Sequence, residues 1–183
     1  MPIILVLAAL LLSHAAHVQA APAIPADDMD HFLADRGLLA RIGDVGGKVE
    51  AKASELVINA MAFLGVPYRR GGSNSESGFD CSGFVRAIFQ QTAGLVLPRS
   101  ADQQAAASQH IDRADLQPGD LVFFNTMRRT FSHVGIYVGE GKFIHSPKPG
   151  DQVRLESMSL NYWARRFDGA RRVPVERKTA GDP

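Results

Sequence analysis

The sequence predicts an α+β domain in which N-terminal helices pack on an antiparallel sheet. Two observations carry that reading. Apolar residues recur at helical spacing in the first half of the compact region, and short alternating or β-branched runs between Gly-rich turns fill the second half. Helices first and strands afterwards point away from a parallel, doubly wound sheet.

The first helix is expected over about 51–63, where Leu56, Val57, Ala60, Met61 and Leu64 share a face and Gly65 is the stop. Residues 67–78 are rich in Gly and Ser and read as a loop. A second helix starts at Asp80 or Cys81 and runs to about Thr92, with Phe84, Val85, Ile88 and Phe89 as its apolar stripe. Pro118-Gly119-Asp120 is a turn into the apolar run Leu121 to Phe124. His133 to Val138 alternates, and Gly139, Gly141 and Lys142 turn it back into Phe143 to His145. Val153 to Glu156 and Ala170 to Val173 are further strand candidates.

Of the 183 residues, 45% are hydrophobic and 21% charged, which excludes wholesale disorder. A net charge of +1 gives no reason to expect a nucleic-acid or membrane partner. The basic cluster Arg165, Arg166, Arg171 and Arg172 is interrupted by Phe167 and reads as a solvated face. The apolar run from Ile3 to Leu12, followed by Val18-Gln19-Ala20, reads as a signal peptide over 1–20 ending at Ala20. That run is much shorter than the roughly 20 residues a spanning helix needs. An N-terminal extension over 21–47 carries one amphipathic segment, from about Met29 to Ile42. The domain proper is expected over 48–175, with a tail over 176–183. The implied product is an exported monomer, periplasmic or secreted, with no membrane anchor after cleavage.

Cys81 is the only cysteine, so no intramolecular disulfide can form, and none stands near the cleavage site to take a lipid. It falls where the Gly-rich loop meets a helix. Unpaired N–H groups and the dipole at a helix N-terminus favour thiolate, the nucleophilic form, and can help bind an oxyanion. A thiolate nucleophile needs a base that also protonates the leaving amine, and histidine fits. His14 and His17 belong to the leader, and His31 and His110 read as surface residues. His133 and His145 each lie at a strand end, where two histidines can sit side by side, one against the cysteine and the other holding its ring. Cys81, His133 and His145 are also possible zinc ligands, but there is no HExxH motif and no cysteine pair.

Six pieces in order, spread over about Val49 to Val173, resemble the NlpC/P60 family of cell-wall peptidases, which has a papain-like core. They are Pro67-Tyr68-Arg69-Arg70-Gly71-Gly72, Phe79-Asp80-Cys81-Ser82-Gly83-Phe84-Val85, Leu97-Pro98-Arg99-Ser100 with Gln103, Leu116 to Phe124, Ser132-His133-Val134-Gly135-Ile136-Tyr137, and Phe143-Ile144-His145-Ser146. The resemblance implies Cys81 as nucleophile, His133 as base and His145 as the residue that orients the base. It places Tyr68 beside the nucleophile, where its hydroxyl could help bind an oxyanion. Asp80, Ser82 and Arg99 are further pocket candidates, although each also has a structural job as cap, helix start or surface charge. The implied activity is hydrolysis of peptidoglycan stem peptides, between D-glutamate and the diamino acid, with no cofactor and no metal. A non-catalytic wall-binding module, or an amidase or acyltransferase using the same triad, are the alternatives.

Overall fold

The computed structural model describes residues 47–174. The expected leader, most of the extension with its amphipathic segment, and the expected tail lie outside the described residues. Helix α1 (Gly47–Met61) starts four residues earlier than its apolar spacing suggested. It buries Leu56, Val57, Ala60 and Met61. A turn ends at Gly65, whose φ of 86° is open to glycine at no steric cost.

The loop at 67–78 is more ordered than its composition implied. It folds into a two-residue ribbon, β1 (Ser73–Asn74) against β2 (Gly78–Phe79). Helix α2 (Cys81–Ala93) follows directly, capped at its start by Asp80 and at its end by Gly94 in the left-handed conformation. Phe84, Val85, Ile88 and Phe89 form its buried stripe, as the spacing required. A short helix α3 (Ala101–Ala106) comes next, then the edge strand β3 (Gln109–Ile111).

The sheet is completed by β4 (Leu121–Phe124), β5 (His133–Gly139), β6 (Lys142–His145), β7 (Arg154–Ser157) and β8 (Phe167–Arg172), with helix α4 (Asn161–Ala164) between the last two. Its order is β3-β8-β4-β5-β6-β7, and every pairing is antiparallel. Strand alternation gives the sheet two apolar faces. Leu121, Phe123, Val134, Ile136, Val138 and Ile144 pack with the helices. Val122, Phe124 and Phe143 pack with Met158 and Trp163 on the other side. The C-terminal arginines brace this frame. Arg172 pairs with buried Asp120 through Nε and Nη2, both at 2.8 Å. The Arg171 and Arg166 guanidiniums lie over the rings of Phe131 and Tyr162. Among the described residues, no helix is long and apolar enough to cross a membrane.

Candidate active site

Cys81 is the first residue of α2, and its position is set by close backbone packing behind it. A Cβ on Gly83 would stand 2.0 Å from the Gly72 carbonyl oxygen, and one on Gly72 would stand 2.2 Å from that of Gly78. Only glycine lets the Tyr68 loop and the first turn of α2 approach this closely. Asp80 ties the same pieces together. Its Oδ1 accepts from the Gly83 N–H at 2.7 Å and its Oδ2 from the Gly71 N–H at 3.0 Å. Arg99 grips both oxygens, with Nη1 to Oδ1 at 3.0 Å, and also donates to the Ser82 hydroxyl at 3.0 Å. Three of the expected pocket residues, Asp80, Ser82 and Arg99, are therefore one knot at the helix start. Tyr68 lies within electrostatic reach of Cys81, Asp80, Arg70 and Arg99. Burial, then the neighbouring Cys81 and Asp80, raise its phenol above the ordinary value despite the two arginines.

Cys81 is partly buried. Burial, followed by the Asp80 carboxylate, pushes its thiol up to about 11. The backbone N–H groups of Val134, Ser82 and Cys81 itself act in the opposite direction. The sequence led us to expect thiolate from the helix N-terminus alone. The amides do favour it, but desolvation and a neighbouring anion outweigh them, and the resting group is the thiol.

His133 opens β5, and Val134 beside it turns to the helix face, where its N–H meets the Cys81 sulfur. The Cys81 sulfur thus lies against the backbone next to His133, at the start of β5. Among the described residues, no hydrogen bond joins Sγ to a ring nitrogen of His133. The His133 ring instead points along the other face, where Nε2 lies 2.7 Å from Nδ1 of His145. Trp163 stacks on His133 at 5.5 Å between ring centroids and meets His145 edge-on at 5.0 Å. Gly135 makes room for this arrangement, since a Cβ there would stand 2.7 Å from the Phe143 ring and 3.1 Å from the His145 Cβ. Burial, then the neighbouring His145, hold the His133 imidazole well below its ordinary value, so the buried ring is neutral. His145 is lowered as well, chiefly by burial, with Glu156 working against it.

A residue that the sequence reading did not single out closes the cluster. Glu156, on β7, accepts from Nε2 of His145 at 2.9 Å and from the Trp163 indole at 2.7 Å, both through Oε2. Its Oε1 faces Nη2 of Arg154 at 3.1 Å. Only the strand-like texture of 153–156 marked this segment, and its proximity to His145 depends on the β6–β7 register. At the end of β6, the Ser146 hydroxyl donates to the Phe79 carbonyl at 2.7 Å, which fixes the histidine strand to the nucleophile loop. Among the described residues, no group of three His, Cys, Asp or Glu side chains is arranged to hold a metal ion.

The model of the NlpC/P60 family matches residues 65–172, more than half of the chain and all of the elements that carry this site. The chain belongs to the NlpC/P60 family. Murein DD-endopeptidase MepH of Escherichia coli K12 is 44% identical over 67% of this chain and 46% of its own length. The gamma-DL-glutamyl hydrolase of Bacillus subtilis 168 is 43% identical over 64% of this chain and 28% of its own. The chain thus spans less than half the length of either relative. An NlpC/P60 protein crystal structure from Bacillus cereus superposes with a TM-score of 0.61 at 35% identity, over 66% of this chain and 39% of that one. The papain-like arrangement of helices on an antiparallel sheet is thus the NlpC/P60 fold, as the sequence led us to expect.

Proposed function

We propose that the NlpC/P60 domain hydrolyses an amide bond in peptidoglycan stem peptides through a thioester on Cys81. The reading rests on the Cys81 sulfur lying at the Val134 amide, next along the chain to His133 and its buried pairing with His145. Attack moves the thiol proton to His133 as the sulfur–carbon bond forms. A neutral thiol and a neutral imidazole suit such coupled transfer. The oxyanion is held by backbone N–H at the start of α2, assisted by the Tyr68 hydroxyl. His133 then gives its proton to the leaving nitrogen as the carbon–nitrogen bond breaks. Water attacks the thioester, one of its protons passes to His133, and the carbon–sulfur bond breaks to release the carboxylic acid, which gives its own proton to solvent. The thiolate takes back the proton held by His133.

Asp80, Ser82 and Arg99 shape the acyl side of the cleft beside Tyr68. The catalytic unit is 48–175, preceded by a leader over 1–20, so that the enzyme acts as a monomer in the periplasm or outside the cell. The bond proposed is that between D-glutamate and the diamino acid, in keeping with the name of the Bacillus subtilis relative. The D,D cross-link is the second reading, because MepH is named for that specificity. Purified monomeric tetrapeptide and cross-linked dimer muropeptides, digested and read by mass spectrometry, separate the two. Cleavage of the monomer after D-glutamate supports the first reading. Conversion of dimer to intact monomers supports the second. No change in either substrate would overturn the peptidase reading and favour wall binding or another acyl substrate.

A further inference from the structure

We propose that Glu156 is a positioning residue that selects which nitrogen of His133 serves as the base. The proposal rests on the reading of His133 as that base. Glu156 has donors on every side: His145 Nε2 and the Trp163 indole at one oxygen, Arg154 at the other. Burial would raise its carboxyl, but the hydrogen bond from His145 and the charge of Arg154 prevail and hold it below the ordinary value. The group is a carboxylate, which only accepts.

The rest follows by donor and acceptor matching. His145 must carry its proton on Nε2 to donate to Glu156, so its Nδ1 presents a lone pair. That lone pair faces Nε2 of His133 at 2.7 Å, so His133 must be protonated on Nε2. Its Nδ1, the ring nitrogen nearer the backbone, is then bare and free to take a proton. The opposite tautomer would need a proton on His145 Nδ1 and would set a bare Nε2 against the carboxylate. When His133 gains its second proton the same chain still donates inward, and the Glu156 charge stabilises the imidazolium through His145. Trp163 completes the device, because one side chain both stacks on His133 and pins the carboxylate.

Charged groups facing this chain are Arg154 and Asp151, around Glu156 and His145. Arg154 is itself held by Asp151 at 3.1 Å. Glu156 bonds to none of Tyr68, Asp80, Ser82 and Arg99, so its loss should reach kcat and spare KM.

The test uses the mature chain with 15N-labelled histidine, observed by two-dimensional NMR of the imidazoles, together with pH profiles of kcat/KM. Wild type should show both histidines protonated on Nε2 at neutral pH. Glu156→Gln keeps an acceptor but no charge. It should keep that tautomer, lose several-fold in kcat, and move the acidic limb to lower pH. Glu156→Ala should mix the tautomers and lose about 10²-fold, near the lower end of what a general base contributes. A purely structural role would lower the unfolding temperature and leave the limb and tautomers where they are, and that result would overturn the proposal. So would a wild-type His133 protonated on Nδ1. The NMR readout needs no substrate, whereas an active His133→Gln would sink the base assignment itself, so the two failures are distinguishable.

Discussion

His133 and His145 have different tasks, and substitution should separate them. His133 must accept and release a proton, which no amide can do near neutral pH. His145 must accept at one ring nitrogen, from His133, and donate at the other, to Glu156. A glutamine amide offers one acceptor and one donor group, so it can take over part of that task. His133→Gln should therefore be as inactive as a variant without the thiol. His145→Gln should keep a clear fraction of kcat/KM, and His145→Ala less, with losses of about one to a few powers of ten. A dead His145→Gln beside an active His133→Gln would exchange the two roles. The sequence already carried this pairing, since His133 starts one strand run and His145 ends the next. It did not carry the protonation state of Cys81. Helix position is visible in a sequence, but the desolvation that lifts the thiol to about 11 depends on what packs over it.

At the scale of elements, β5 and β6 bring the histidines together because Gly135 has no side chain. A Cβ at this position would stand 2.7 Å from the Phe143 ring, so Gly135→Ala must push β6 outward. Overpacking of this kind costs roughly 1–3 kcal/mol. The displaced His145 should cut kcat/KM by more than that loss of stability explains, since a misplacement of about 1 Å can cost about 10²-fold. Thermal unfolding and kcat/KM measured on the same preparation check this, and a variant that is destabilised but fully active would show that the spacing is not needed. Both long helices and β4 to β6 were legible because periods of 3.6 and 2 are local properties. Helix α3 was not, because six residues are too few to establish a period. Strand β3 is mostly exposed and polar, so no apolar face announced it. Glu156 and Trp163 escaped notice for another reason. Their meeting with His145 depends on the register of β6 with β7 and on the placement of α4, neither of which is encoded in spacing along the chain.

For the whole molecule, the buried histidines tie stability to pH. Both are held below the ordinary imidazole value of 6.5, chiefly by burial. The unfolded chain takes up protons near 6.5 that the folded domain refuses. Their contribution is therefore complete above 6.5 and is lost as the pH falls from there toward the lower folded values. Glu156 acts in a separate window, since its carboxyl is held below 4.5 and its contribution is lost only as the pH falls beneath that. The urea midpoint should drop between about pH 7.5 and about pH 5, and His133→Gln should narrow that drop. An unchanged midpoint in wild type would contradict neutral buried rings. The central claim, covalent hydrolysis by Cys81, has a more direct test. Cys81→Ala should fold like wild type by circular dichroism and release no product from purified muropeptides over times in which wild type consumes them completely. Product formation by the folded variant at a rate near that of wild type would contradict the thiol mechanism.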